Sequence, residues 1–198
     1  MTRFDEKVIL ITGAGRGIGR ALALACAERG AILALNDISP LNVEMVASQI
    51  TAAGQQAQVY LHDVAKKVAV QSMVNQVLDD FGRIDALINC ANVQPATALL
   101  ELDEWDLHRV FEVNAIGTLL TMQSVGRVMR QAGKGVILNI VKLPPEAPVA
   151  YLASRAGLDL ASRRAAVELQ PDGIGVWFIT EPDAMPTTLR LLEETWRT

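Results

Sequence analysis

Short apolar runs alternate along this chain with longer segments in which apolar residues recur at helical spacing. The runs are continuous, as in strands buried on both faces of a sheet. They lie at residues 8–11, 31–36, 57–61, 84–90, 135–141 and 175–179. Helices are predicted from residue 21, at 40–53, at 66–81, from 103, at 151–169 and at 187–196. Strands that alternate with helices predict an α/β fold, with a doubly wound parallel sheet of about six strands and helices on both faces.

Polar residues mark two of the predicted helices. Ser39 and Pro40 predict an N-cap followed by proline at the first helical position. Asp103 is a good N-cap for the helix that begins near it. Halfway along that helix, among mostly apolar positions, lies Asn114. A buried asparagine needs hydrogen-bond partners, so this position predicts a bend or a functional site.

Residues 12–19, Thr-Gly-Ala-Gly-Arg-Gly-Ile-Gly, join the first predicted strand to the first predicted helix. A turn this tight requires residues that accept positive φ, and a diphosphate approaches the backbone only where no Cβ intervenes. The phosphates then bind the free N–H groups at the positive end of the helix dipole. The stretch therefore predicts a dinucleotide site with contacts from Gly13, Gly15, Arg16, Gly17, Ile18 and Gly19. A glycine-rich turn without a ligand is the alternative.

Acidic residues follow the second and third predicted strands. Asp37 lies about 20 residues beyond the glycine turn, where a carboxylate accepts hydrogen bonds from an adenosine ribose. Its charge repels a 2′-phosphate, which favours NAD over NADP, although Arg16 could pair with that phosphate. Asp63 is placed to reach the adenine edge, whereas His62 has no partner in the sequence that would make it a base. A solvated loop carboxylate is the alternative for Asp37.

Composition limits the fold and the partners. A chain of 198 residues, 51% of them hydrophobic, is long enough for one well-cored domain and too short for two, so we expect a single domain at 1–198. A net charge of -4 without a basic block argues against nucleic acid and membrane surfaces and favours a small-molecule ligand. Cys26 and Cys90 lie in apolar segments and predict buried thiols, with no disulfide and no metal site. We expect a cytoplasmic protein, since no signal sequence or membrane-spanning run is visible.

Six features follow one another along the chain, namely residues 12–19, Asp37, Asp63, Asn89, Asn114 and residues 151–155. In order and approximate spacing the chain resembles a short-chain dehydrogenase/reductase over essentially its whole length. The resemblance implies a Rossmann-type domain with a nicotinamide cofactor across the carboxyl ends of the strands. It also implies hydride transfer to or from a small alcohol or carbonyl compound, and homodimers or homotetramers. Beyond the glycine turn, the implied cofactor contacts are Asp37, Asp63, Val64, Asn89, Ala91, Tyr151, Arg155, Pro182 and Thr187.

The catalytic residues of that family are only partly kept. In the family a tyrosine transfers the substrate proton, a lysine four residues later supplies a cation, a serine holds the substrate oxygen, and an asparagine supports the lysine. The resemblance assigns the tyrosine to Tyr151 and the asparagine to Asn114, but Arg155 stands at the lysine position and Lys142 at the serine position. Arginine keeps the charge but transfers protons poorly, and loss of a positioned donor costs roughly 10²–10³ in rate. The Lys142 ammonium, brought toward Tyr151, is an alternative source of the cation.

Other departures lie near the nicotinamide end. Asn92 and Asp183 replace glycines of the family, and we expect a C-terminally shortened member without the substrate-covering segment. An intact adenosine end beside an altered nicotinamide end leaves two functions open. One is an NAD-dependent oxidoreductase with a degraded active site, and the other is a weakly active or inactive protein that binds NAD(H) or associates with another subunit. A third alternative is a remnant of the fold with an empty glycine turn.

Overall fold

The computed structural model describes residues 4–144, 146–180 and 183–196. Its strands are β1 (Val8–Thr12), β2 (Ile32–Asp37), β3 (Ala57–Leu61), β4 (Ala86–Asn89), β5 (Gly135–Val141) and β6 (Ile174–Thr180). Its helices are α1 (Gly17–Ala27), α2 (Pro40–Ala52), α3 (Lys67–Phe81), α4 (Glu104–Phe111), α5 (Thr118–Ala132), α6 (Val149–Leu169) and α7 (Ala184–Thr195). A π-helical turn, Glu112–Gly117, joins α4 to α5, and a 3₁₀ turn, Gln170–Asp172, follows α6. The predicted strands and helices are all present, with small differences at their ends.

The six strands form one parallel sheet in the order β3-β2-β1-β4-β5-β6. This is the predicted doubly wound, Rossmann-type sheet of a single domain. The order reverses between β1 and β4, so the connections leave these neighbouring strands in opposite directions. In open parallel sheets this divergence creates a crevice at the carboxyl ends of the strands, where ligands bind.

The core has two layers because alternate side chains of each strand point to opposite faces. On β1, Ile9 and Ile11 pack with apolar residues of α1, α2 and α7, whereas Val8 and Leu10 pack with those of α3 and α5. All four are essentially inaccessible to solvent. Burial on both faces explains the continuous apolar runs in the sequence, and it fixes the strand ends that carry the crevice.

The predicted helix from Asp103 is divided by the π-helical turn. Asp103 is its N-cap as predicted, with Oδ1 accepting a hydrogen bond from the Asp106 N–H at 2.7 Å. Asn114 lies inside the π-helical turn and is fully buried. An extra residue in a helical turn changes the hydrogen-bond pattern locally, and such turns occur often at functional sites. The irregularity expected at Asn114 is therefore confirmed.

The second helix begins as predicted, with Ser39 at the N-cap position, but the capping contact differs. Pro40 is its first residue, but the Ser39 side chain makes no capping hydrogen bond. The Ser39 main-chain N–H donates to Asp37 Oδ1 at 3.0 Å, and its carbonyl accepts from the Val43 N–H at 3.3 Å, so the main chain of this serine connects the end of β2 to the start of α2. Within the described ranges, no helix has both the length and the apolar character needed to cross a membrane.

Candidate active site

A cleft of about 620 Å³ lies beside the reversal point at the carboxyl ends of the strands. The predicted site residues that line it are Gly13, Arg16, Gly17, Ile18, Gly19, Asp37, Asp63, Val64, Ala91, Lys142 and Tyr151. The fold thus brings the glycine turn, both acidic residues and the tyrosine to one cavity. Its volume is in the range of small-molecule and cofactor sites.

The glycine turn is shaped by close contacts between main chains. Gly13 has φ +65°, and a Cβ at this residue would lie 2.7 Å from the Ala91 main chain after β4. A Cβ at Gly19 would lie 2.2 Å from the Gly13 carbonyl oxygen. Gly17 has φ +55° and open space where its Cβ would be, so its bare backbone faces the cleft at the start of α1. This cradle fits a diphosphate at a helix N-terminus.

Asp37, the predicted acceptor for the adenosine ribose, is held by two main-chain donors. Its Oδ2 accepts from the Gly15 N–H at 2.8 Å, and its Oδ1 accepts from the Ser39 N–H at 3.0 Å. Gly15 itself does not line the cleft, and its N–H group instead holds the Asp37 carboxylate in place. Each carboxylate oxygen has a second lone pair, so the fixed group can still accept ribose hydroxyls. Arg16 is exposed at the rim of the cleft.

Asp63 is held by an arginine that the sequence analysis missed. The Asp63 Oδ1 accepts from the Ala65 N–H at 3.0 Å, and the Oδ2 accepts from Arg109 Nη1 at 3.0 Å. Arg109 comes from α4 and also lines the cleft. The two residues lie 46 positions apart, and no sequence pattern connects them. The predicted loop histidine, His62, also borders the cleft, with Nε2 3.0 Å from Gln76 Oε1.

Asn89 lies beneath the cleft in a buried polar network and is not among the residues that line it. Its amide donates to Asn139 Oδ1 at 2.9 Å, and its Oδ1 accepts from the Thr121 hydroxyl at 2.8 Å. Asn139 in turn donates to Ser162 Oγ at 2.9 Å. The network links β4, β5, α5 and α6, so Asn89 supports the floor of the cleft from below.

Tyr151 is buried in the first turn of α6, and its hydroxyl has an internal acceptor. The hydroxyl donates to the main-chain carbonyl of Lys142 at 2.7 Å. This hydrogen bond involves the main-chain carbonyl of Lys142. The alternative cation that the sequence analysis considered is the Lys142 ammonium, which takes no part in this bond. Tyr151 and Lys142 both line the cleft. The Tyr151 hydroxyl is therefore hydrogen-bonded to the loop that follows β5.

Arg155, at the family's lysine position, is buried behind Tyr151 and does not line the cleft. Its Nη1 donates to the Asn114 carbonyl at 3.1 Å, and its Nη2 lies 3.5 Å from the Ala91 carbonyl. Its Cζ is 5.4 Å from the centre of the Tyr151 ring. Burial lowers the pKa of the Arg155 guanidinium, and the neighbouring Tyr151 and Cys90 oppose that shift. Within the described ranges its Nε has no hydrogen-bond partner.

Asn114 clamps the segment that follows β4. Its Oδ1 accepts from the Val93 N–H and its Nδ2 donates to the Val93 carbonyl, both at 2.9 Å. The same Nδ2 lies 3.3 Å from Ser154 Oγ. Its main-chain carbonyl accepts from Arg155 and, at 3.2 Å, from the Thr118 hydroxyl. The predicted supporting asparagine thus connects the arginine directly to the wall of the cleft.

The remaining predicted positions lie away from the cleft or outside the described residues. Thr187 is in the first turn of α7, where its N–H donates to the Asp183 carbonyl at 3.0 Å. Pro182 lies outside the described residues. Cys26 and Cys90 are buried and do not form a disulfide, and Cys90 borders the cleft. Among the described residues, no cluster of three or more His, Cys, Asp or Glu side chains could hold a metal ion.

A parallel sheet of this order, with a glycine cradle at the cleft beside its reversal point, defines a domain of the Rossmann type. The chain belongs to the short-chain dehydrogenase family, whose model matches residues 7–195. It is therefore an oxidoreductase of a family that binds nicotinamide cofactors.

Three similar proteins illustrate the range of this family. The chain is 37% identical over 175 residues to "(2S)-[(R)-hydroxy(phenyl)methyl]succinyl-CoA dehydrogenase subunit BbsD" of Thauera aromatica, covering 87% of this chain and 71% of that protein. A crystal structure of a metagenomic short-chain oxidoreductase in complex with NADP has a TM-score of 0.92 and 27% identity, covering 99% of this chain and 95% of that one. An NAD+-bound xylitol dehydrogenase has a TM-score of 0.85 and 32% identity, covering 98% and 78%.

Proposed function

We propose that this protein binds NAD(H) in the cleft and transfers hydride, at a reduced rate, between the nicotinamide and a small alcohol or carbonyl compound. The observation that carries the proposal is that the glycine cradle, the Asp37 carboxylate and Tyr151 line one cavity. The cradle supports diphosphate binding because Gly17 presents bare backbone at the N-terminus of α1. The cofactor, when bound, supplies or accepts the hydride.

NAD(H) is the proposed cofactor rather than NADP(H). Asp37 is fixed by the Gly15 and Ser39 N–H groups, so it cannot turn away from a 2′-phosphate without losing both hydrogen bonds. A fixed carboxylate accepts two ribose hydroxyls and repels a phosphate in the same place. Similar proteins have been crystallised with NADP and with NAD+, so this residue, rather than the fold, supports the preference.

Tyr151 is the proposed proton donor and acceptor. In carbonyl reduction its hydroxyl transfers a proton to the substrate oxygen while hydride reaches the carbon, and in alcohol oxidation both steps reverse. The hydroxyl first has to leave the Lys142 carbonyl. Arg155 supplies a positive charge behind the ring, but it is buried, and two of its nitrogens face main-chain carbonyls. We therefore assign it electrostatic support, with no part in carrying protons.

The reduced rate follows from what stands at the family's serine position. An active member of the family has a serine hydroxyl here for the substrate oxygen, whereas this chain has the lysine side chain of Lys142. The Lys142 main-chain carbonyl, a group that any residue would have at this position, accepts a hydrogen bond from the Tyr151 hydroxyl. Loss of a positioned donor costs roughly 10²–10³ in rate. The same observation favours the second candidate, a protein that binds NAD(H) without turnover and acts by association. One similar protein is, by its name, a subunit of a dehydrogenase.

Association of identical chains through α4, α5 and α6 is part of the proposal. Large apolar side chains are exposed on these elements. Trp105 and Leu160 are each 71% exposed, and Phe111 and Ile116, which follow Trp105 in the sequence, are exposed as well. Exposed apolar surface of this kind is typical of interaction sites. Light scattering during size-exclusion chromatography should give a dimer or tetramer, and Trp105→Arg should shift it toward monomer. We also propose a cytoplasmic location, which is supported by two buried cysteines, Cys26 and Cys90, that do not form a disulfide.

The experiment that tests the function is a fluorescence titration with NADH and with NADPH. We expect saturable binding with NADH at least tenfold tighter, and we expect Asp37→Ser to remove that preference. Turnover of small ketones, with Tyr151→Phe as the inactive control, then separates the two candidates. Binding without turnover supports the second candidate. Failure to bind either nucleotide contradicts both.

A further inference from the structure

Arg109 of α4 reaches across the adenosine end of the cleft to Asp63. Its Nη1 lies 3.0 Å from Asp63 Oδ2, and the two side chains are only 22% and 25% exposed. Both residues line the cleft. This ion pair connects α4 to the loop between β3 and α3, two elements that are distant in sequence.

The Asp63 carboxylate is thereby held at both oxygens by donors from two elements. The Ala65 N–H of its own loop binds Oδ1 at 3.0 Å, and Arg109 binds Oδ2. Either contact alone would let the carboxylate rotate about the other. Together they fix its plane, and each oxygen keeps a second lone pair for a further donor.

Arg109 is itself enclosed by acidic groups. Its Nη1 lies 3.8 Å from Glu112 Oε2, and that carboxylate lies 3.6 Å from Lys66 Nζ. The charge of Arg109 is therefore balanced by carboxylates on two sides. An arginine whose charge is already balanced by carboxylates is better suited to orienting the Asp63 carboxylate than to binding a phosphate group.

We infer that Arg109 is a positioning residue that holds Asp63 as the acceptor for the exocyclic amino group of the adenine ring. The inference rests on the proposed function, since it concerns the adenosine half of the same cofactor. Adenine presents an amino donor at this edge, whereas hypoxanthine presents a carbonyl oxygen. A fixed carboxylate accepts a hydrogen bond from the adenine amino group and repels the hypoxanthine carbonyl oxygen. The site therefore discriminates between adenine and hypoxanthine dinucleotides.

The test compares the dissociation constants of NADH and of reduced nicotinamide hypoxanthine dinucleotide, measured by nicotinamide fluorescence. For the unchanged protein we expect NADH to bind about tenfold tighter, the size of a hydrogen bond to a charged group. Arg109→Met should reduce this ratio to below about twofold, and Arg109→Lys should restore part of it. Arg127→Met is the matched control, because Arg127 is exposed on α5 and should leave the ratio unchanged.

The ratio separates a positioning role from a merely structural one. Loss of a positive charge or of local stability would weaken both dinucleotides equally, and that result would overturn the inference. An unchanged ratio in Arg109→Met would overturn it as well, as would the absence of discrimination in the unchanged protein. In an Asp63→Ala background, Arg109→Met should change the ratio no further. Failure to bind NADH at all would instead contradict the proposed function, and thermal unfolding confirms that each variant is folded.

Discussion

Gly19 lies inside the first turn of α1, and we expect that replacing it with alanine lowers the stability of the fold. The contacts that an added Cβ would make give the size of the loss. Glycine to alanine in a helix normally gains about 1 kcal/mol because alanine has the higher helix propensity. At Gly19 the added Cβ would lie 2.2 Å from the Gly13 carbonyl oxygen and 3.0 Å from its carbonyl carbon. These are main-chain atoms of the glycine turn, and they cannot move without moving the turn. Such overpacking costs typically about 1–3 kcal/mol or more.

Gly157 provides a matched control in the middle of α6. It is exposed, and a Cβ there would meet no atom within 4 Å. Gly157→Ala should therefore keep the full gain of about 1 kcal/mol, which for a chain of this size raises the melting temperature by about 2–4 °C. The two variants should differ by the cost of the clash, about 1–3 kcal/mol.

Urea unfolding followed by tryptophan fluorescence measures that difference, and the NADH titration measures its effect on the site. We expect Gly19→Ala to lose NADH affinity at least tenfold, whereas Gly157→Ala should bind as the unchanged protein does. Equal stability of the two variants would refute the reasoning, because the Gly13 carbonyl would then have moved at no cost. Normal NADH binding by Gly19→Ala would show that the cradle does not hold the diphosphate.

Three further predictions concern catalysis and stability. The double variant Lys142→Ser with Arg155→Lys should raise the rate of carbonyl reduction about 10²-fold by restoring a donor and a compact cation, and Tyr151→Phe should cancel the gain in steady-state assays. Asp85→Ala should destabilise the fold by about 1–3 kcal/mol in urea unfolding, because this buried carboxylate accepts the main-chain N–H at the start of β1 at 2.9 Å. Burial raises the pKa of the Cys26 thiol from 9.0 to about 12, so its contribution to stability is complete below pH 9 and decreases as the pH rises from 9 toward 12. Cys26→Ala should flatten that decrease in a pH series of unfolding experiments.

The sheet and the glycine cradle could be predicted because local chemistry determines them. Buried parallel strands need continuous apolar runs, and the turn between β1 and α1 needs glycine where main chains approach within contact distance. The place of Asp37 in the cleft was predictable for a similar reason, since the residue lies at a strand end. Each of these signals is carried by a local stretch of chain, the longest being the roughly 20 residues between the glycine turn and Asp37.

The contacts that govern the chemistry could not be predicted because they join distant segments. Arg109 meets Asp63 across 46 positions, and Arg155 meets the Asn114 carbonyl across 41. The first pair has no sequence pattern, and the second is implied only by the family resemblance, because packing of α4 and α6 determines which atoms meet. Asn89 illustrates the converse. The family resemblance implies that it contacts the cofactor, and the structure adds a second role that the sequence does not indicate, since its amide donates to Asn139 in the network beneath the cleft.

The hydrogen bond from Tyr151 to the Lys142 carbonyl makes the protein its own competitive inhibitor in the proposed reaction. A ketone substrate and that internal carbonyl require the same hydroxyl proton, and the internal group is present at the high effective concentration of an intramolecular contact. An alcohol is affected differently, because its own O–H can donate to the tyrosine oxygen while that oxygen still donates to the loop. Ground-state binding should thus favour alcohols over ketones of the same shape. The preference concerns binding alone, because in either direction Tyr151 has to leave the Lys142 carbonyl before it transfers a proton, so the internal bond slows both reactions and leaves their equilibrium unchanged.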